Sequence, residues 1–342
     1  MVNEKKLIGY TCSYIPVEIL AVTGFKPYRL LSGEINLARA GEKILKVDAC
    51  PLIKSNLSYI LENSDKFACI VGSTGCDMAR RMFDCLQELS DIPTYIINNP
   101  RTDKPEIFYD EIDWLVKELE KLSNKRFEPE LINYEIEKWE AVRNLYRQLE
   151  AGRRLQTASL LSAAEFAQIC ANYHRGAIEL EIKTTNYFNP PIGGLRKSTK
   201  PSVYLIGSPI PYEAHSIIEM LENEVRLVGD FNCGISRFLN IKIQNKDLAG
   251  IKQAYYKQIP CIYKRPNHDF YAMVGERLKE LACQGIILWT LDYCDNYEFE
   301  LKRMEKTFGL PVLWLRSDLS FQNKSQLKIR IAAFAEMLRQ SI

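Results

Sequence analysis

Residues 67–77, Phe67-Ala68-Cys69-Ile70-Val71-Gly72-Ser73-Thr74-Gly75-Cys76-Asp77, decide the fold class. Phe67 to Gly72 is a short, β-rich apolar run of the kind that fills a strand buried on both faces. Asp77 then opens an amphipathic helical pattern, so strand passes into helix through one tight turn. That order predicts a βαβ unit and a parallel sheet. The pattern extends outward in both directions. Upstream, Leu7 to Thr11 reads as a strand, a helix opens at Pro16 and is stopped by Gly24, and Tyr28 to Leu31 reads as the next strand. Downstream, Pro93 to Ile97 is a buried strand, and Glu106 to Leu122 is a helix rich in Glu and Lys.

Arg126 to Ala171 contains only helical patterns, with charges spaced for i,i+4 pairing over Glu137 to Glu150. Asn186 to Pro201 concentrates Asn, Pro and Gly and predicts a long loop. After it the first pattern returns. Val203 to Gly207 and Val225 to Gly229 read as strands flanking a helix over Glu213 to Leu221. A helix over His268 to Ala282, a strand over Ile286 to Leu291, a helix over Glu298 to Lys306, a strand over Pro311 to Leu315 and a final helix over Gln326 to Arg339 follow. The expected architecture is two doubly wound α/β domains, Rossmann-like or flavodoxin-like in their parallel sheets, joined by a helical segment. Its expected boundaries are 1–125, 126–200 and 201–342.

Length and composition fit this reading: 342 residues with 46% hydrophobic content can bury two cores. The 45 Lys and Arg against 43 Asp and Glu leave a net charge of +2, which argues against nucleic-acid binding. No apolar stretch reaches the ~20 residues of a membrane span, and the short run after Lys6 is no signal peptide, so a cytoplasmic protein is expected.

Ten cysteines in such a chain point to ligand or redox use, because cytosolic thiols stay reduced. No C-x-x-C pair occurs, so any metal site must be assembled by the fold. Cys12, Cys76, Cys233 and Cys294 each follow a predicted strand. In open parallel sheets the ligand crevice lies beyond the carboxyl ends of the strands, where these sulfurs can converge. Cys50 opens a helix with Pro51 at its first position, and a helix N-terminus favours the thiolate. Cys69, Cys85, Cys170, Cys261 and Cys283 read instead as small buried hydrophobes. The three histidines lack zinc spacing and read as surface or packing residues. Gly72 to Gly75 and Gly193 to Arg196 look superficially like phosphate turns, but both lack the dinucleotide fingerprint and the P-loop lysine.

These landmarks in order resemble the 2-hydroxyacyl-CoA dehydratases and the related benzoyl-CoA reductase subunits. The resemblance runs nearly end to end, through Tyr10-Thr11-Cys12-Ser13-Tyr14-Ile15-Pro16-Val17-Glu18, Cys50-Pro51-Leu52-Ile53-Lys54-Ser55 and Thr74-Gly75-Cys76-Asp77. It continues through Gly207 to Pro211, Asp292-Tyr293-Cys294-Asp295 and Gln326 to Arg330. It implies that Cys50, Cys76 and Cys294 hold an oxygen-sensitive [4Fe–4S] cluster with one iron free of cysteine. It further implies a lyase that adds one electron to an acyl-CoA thioester, making a ketyl radical that expels the 2-hydroxyl, or a smaller subunit that relays that electron. The implied partners are a paralogous subunit or a second copy and an ATP-dependent [4Fe–4S] activator. Ser13, Glu18 and Ser55 are the catalytic candidates, with Asp77 also near the cleft and Arg80 and Arg81 available for CoA phosphates. Glu18 and Asp77 are equally readable as helix-terminus residues, and the arginines as solvent-facing. A second branch of the family implies a double-cubane [8Fe–9S] cluster on six cysteines, acting on small molecules. Cys12 and Cys233 would then be extra ligands, the sixth being left open. A non-catalytic electron-transfer subunit is the third alternative.

Overall fold

The structure, a computed structural model, describes residues 6–154, 161–176 and 199–340. Its first sheet is built from β1 (Leu7–Tyr10), β2 (Lys26–Arg29), β3 (Phe67–Ser73) and β4 (Thr94–Ile97), in the order β2-β1-β3-β4. The second, from β5 (Ser202–Gly207), β6 (Arg226–Asp230), β7 (Gly285–Leu291) and β8 (Val312–Ser317), repeats that order as β6-β5-β7-β8. Every pairing is parallel. Parallel strands need crossovers, and helices on both faces leave the central strands no solvent side. Hence all of Gly285–Leu291 is buried. The chain is a two-domain α/β protein, as the alternating pattern predicts.

Helices α1 (Val17–Val22), α2 (Ile35–Gly41), α3 (Pro51–Glu62), α4 (Asp77–Leu89) and α5 (Pro105–Ser123) cover the first sheet. The helices α6 (Pro129–Arg154) and α7 (Ala163–His174) follow. Around the second sheet lie α8 (Ser216–Glu224), α9 (Leu248–Lys257), α10 (His268–Glu280), α11 (Asp295–Glu298), α12 (Leu301–Phe308) and α13 (Lys324–Gln340). Three details differ from the sequence reading. The helix expected from Glu213 starts as a 3-10 turn, Tyr212–Ala214, after Pro211, and α8 begins only at Ser216. The helix expected over Glu298 to Lys306 is two helices, because Glu300 between them is held by Asn267 and Tyr271 at 3.0 and 2.7 Å. Helices α2 and α9 have no counterpart in the sequence expectation. α9 is capped by Asp247, whose carboxylate accepts from Gly250 N at 2.7 Å. Residues 186–198 of the expected loop, with Gly193 to Arg196, lie outside the described residues.

One apolar core runs between the two halves, from Ile8 and Val71 on the first sheet to Leu205 and Ile287 on the second. Separate clusters cover the opposite faces of the sheets. Burying each such Ile or Leu contributes roughly 1.5–3 kcal/mol. Polar contacts fix the alignment of the halves: Tyr212 Oη donates to Arg29 O at 3.0 Å, Gly33 N to Glu213 Oε2 at 2.6 Å, and Lys264 Nζ to Asn99 Oδ1 at 2.8 Å. No helix among the described residues is long and apolar enough to cross a membrane.

Candidate cysteine-lined site

The carboxyl ends of the two sheets face one cavity of about 150 Å³. Loops leaving β1, β2 and β3 line one side, and loops leaving β5, β6 and β7 the other. This is the crevice position of an open α/β sheet, here shared by two sheets. Gly207 makes the turn out of β5 feasible. Its φ of +136° and the 1.8 Å that a Cβ would leave to Trp289 O exclude any side chain there. The next residue, Ser208, then reaches the cavity, and its Oγ accepts from Leu291 N at 3.1 Å.

Six of the ten cysteines line this space: Cys12, Cys50, Cys76, Cys233, Cys261 and Cys294. Cys50, Cys76 and Cys294 are the residues at the N-terminal boundaries of α3, α4 and α11. Burial raises the pKa of the Cys50 thiol, and Cys294 and Cys76 beside it add to the rise. Cys294 is pushed up to about 12, first by burial and then by Cys76, against a hydrogen bond with Ser208. Burial likewise raises Cys12, whose thiol neighbours are Cys261 and Cys233, with Arg29 opposing the rise. Cys76, raised by burial against backbone N–H groups of Ala79 and Met78, also feels Cys12. The thiols thus form two neighbouring sets, Cys50-Cys76-Cys294 and Cys12-Cys233-Cys261, which meet at Cys12 and Cys76. Each set draws on both sheets.

Left to themselves Cys12, Cys50, Cys76 and Cys294 hold their protons more tightly than a free thiol, since burial penalises the thiolate. A bound cationic centre reverses that balance. Among the described residues no three His, Cys, Asp or Glu are grouped to hold one metal ion. The sulfurs surround a space instead of a point, an arrangement that suits a multinuclear centre better than a single ion. Two buried arginines, Arg29 and Arg237, also line the cavity, each with an Nε that has no hydrogen-bond partner among the described residues.

Of the other residues singled out in the sequence, Ser13 lines the cavity and accepts from Arg29 Nη1 at 3.1 Å. Glu18 does not reach it. Glu18 is fully buried in α1, paired with Arg143 Nη1 at 2.6 Å and accepting from Tyr255 Oη at 2.8 Å. Ser55 is also turned elsewhere, toward Ser32 Oγ and Glu34 O. Arg80 and Arg81 lie exposed on α4, paired with Asp77 and Asp84 at 3.5 and 2.6 Å. Cys261, read in the sequence as a small hydrophobe, belongs instead to the cavity. It lies in the loop between α9 and α10, with no predicted strand before it to mark the position. Cys69, Cys170 and Cys283 are buried in packing, as expected.

Fold and site together define a class: a two-domain α/β protein whose facing sheet ends enclose a cysteine-lined cavity. The chain belongs to the 2-hydroxyglutaryl-CoA dehydratase D-component family, whose pattern matches residues 12–338. It is 25% identical to YjiM of Escherichia coli strain K12, described as a dehydratase subunit, over 97% of this chain and 91% of that one. It is 19% identical to the (R)-phenyllactyl-CoA dehydratase beta subunit of Clostridium sporogenes, over 98% of this chain and 92% of the relative.

Proposed function

We propose that this chain is the iron–sulfur subunit of a dehydratase-like enzyme, and that all six cavity cysteines hold one [8Fe–9S] double cubane. The observation that carries the reading is the grouping of six thiols around one cavity in two sets of three. Cys50, Cys76 and Cys294 would hold one cubane and Cys12, Cys233 and Cys261 the other. Such a centre supplies low-potential electrons, one at a time, to a thioester or another small molecule. The protein's own part is to hold the sulfurs and exclude water. Backbone N–H groups at the starts of α3 and α4 oppose the rise in thiol pKa at Cys50 and Cys76. The partners proposed are a paralogous subunit or a second copy, an ATP-dependent [4Fe–4S] activator, and an acyl-CoA or similarly small substrate in an anaerobic cytoplasm.

A second reading keeps a single [4Fe–4S] cluster on Cys50, Cys76 and Cys294, used for thioester chemistry or for electron relay. What favours it is that these three alone sit at helix N-termini. Anaerobic purification with iron and acid-labile sulfide analysis separates the two: about eight irons per chain supports the six-thiol site, about four the three-thiol site. A chain free of iron under strict anaerobiosis refutes both. Activator, ATP and a reductant, mixed with this chain, its partner and acyl-CoA thioesters, then test turnover.

A further inference from the structure

Arg29 ends β2 and Arg237 opens the 3-10 turn Arg237–Asn240 after β6, so they approach the cavity from opposite sheets. They are 2% and 3% exposed. A guanidinium cannot shed its proton in a protein, so each is a fixed positive charge in a low-dielectric interior. Fixed interior charges persist where a counter-charge meets them. The molecule shows this elsewhere: Arg143 is paired with Glu18 and Glu140 at 2.6 and 2.9 Å, and Arg153 has Glu150 and Asp230 as electrostatic neighbours. Arg29 and Arg237 have no carboxylate partner among the described residues. Arg29 Nη1 donates to Ser13 Oγ at 3.1 Å, and Arg237 Nη2 donates to Ile259 O at 2.6 Å. The Nε of each has no acceptor among the described residues. Cys261, Tyr14 and Cys233 interact electrostatically with Arg237, and Arg29 with Cys12. Arg237 therefore faces Cys233 and Cys261 and Arg29 faces Cys12, so the two cations divide that set of three thiols between them, whereas Cys50, Cys76 and Cys294 lie at the starts of helices.

We propose that Arg29 and Arg237 are the positioning residues that hold the negative charge of the group bound at Cys12, Cys233 and Cys261 and raise its reduction potential. The inference rests on the iron–sulfur reading above. Thiolates and sulfides bring the anion that the two guanidinium groups lack, and each free Nε–H is a donor available to sulfur. Adding an electron increases the negative charge, so nearby fixed cations favour the reduced state.

The test uses the anaerobically prepared full chain, its iron content, and a potentiometric titration with dithionite followed by electron paramagnetic resonance. Arg29→Gln and Arg237→Gln should each lower the midpoint potential, cutting the reduced-to-oxidised ratio at a fixed potential at least tenfold, about 59 mV for one electron. Arg29→Lys and Arg237→Lys should recover most of that shift, because the charge is restored. Arg153→Gln, buried away from the cavity, should leave the potential unchanged. Glutamine variants with full iron and an unshifted midpoint overturn the inference and leave the cluster reading standing. Wild-type protein without iron overturns the cluster reading and this one with it. If a glutamine variant cannot hold iron, the lysine variant decides: recovered iron with a near-native potential supports the inference, and its failure overturns it.

Discussion

Cys261, like Cys12 and Cys233, belongs to one of the two proposed ligand sets and not to the other. Its thiol lies beside Cys12 in the cavity, while Cys170 and Cys283 are packed in apolar surroundings. Cys261→Ala should reduce the iron content by about half or more, and Cys170→Ala and Cys283→Ala should leave it intact. Iron analysis and visible absorption read this directly, and unchanged iron in Cys261→Ala returns the site to three thiols. Five of the six cavity cysteines were legible because their positions follow strands or open a helix. Cys261 is not, because it sits in mid-loop with no predicted strand before it. Arg29 and Arg237 had no local signal, since burial without a carboxylate partner exists only in the fold. His174 is a further residue whose state depends on burial. Its Nε2–H donates to Ile235 O at 3.1 Å, and burial lowers its pKa from 6.5 to about 3. Between those values the unfolded chain binds a proton that the folded chain refuses, so stability falls as pH falls, at up to about 1.4 kcal/mol per pH unit. Urea midpoints measured from pH 7 to pH 4 should decline accordingly, and His174→Gln should flatten the decline.

Helix α1 is an element that its sequence marks clearly while the surroundings of its one acid, Glu18, leave no mark there. Pro16 and Gly24 bracket it in the sequence, and Val17–Val22 is helical. Glu18 looks like a cleft residue because it lies near the end of β1, yet α1 turns that side chain inward toward α6. There Arg143, Tyr255 and Glu140 complete a buried network joining α1, α6 and α9. Glu18→Ala leaves Arg143 only its pair with the half-buried Glu140, and breaking a buried pair costs up to about 3–5 kcal/mol. Chemical denaturation should show that loss, with iron per folded chain unchanged. Native stability combined with lost turnover would restore Glu18 to the chemistry. The break between α11 and α12 was illegible for a related reason. The partners that hold Glu300, Asn267 and Tyr271, come from the start of α10, and local periodicity carries no trace of them.

At the scale of the whole molecule, the sequence already shows two similar halves, because an apolar strand run followed by an amphipathic helix recurs in both. It does not show that the carboxyl ends of the sheets face each other, which follows from long-range contacts such as Tyr212 with Arg29 and Lys264 with Asn99. That orientation makes the cavity a joint: Cys12, Cys50 and Cys76 come from the first half, and Cys233, Cys261 and Cys294 from the second. A centre held by all six cross-links the halves, and it binds the folded chain in preference to the unfolded one, so its free energy adds to stability. Removing iron with a chelator under anaerobic conditions should therefore lower the melting temperature by roughly 10 °C or more, given about 2–4 °C per kcal/mol for domains of this size. The loss should also be directional. Hydrogen exchange should rise most in the segments that carry Cys12, Cys50, Cys76, Cys233, Cys261 and Cys294, the ligands of the proposed centre, and least in the sheet interiors behind them. Equal melting temperatures and exchange patterns with and without iron would mean that the sulfurs do not tie the two halves together.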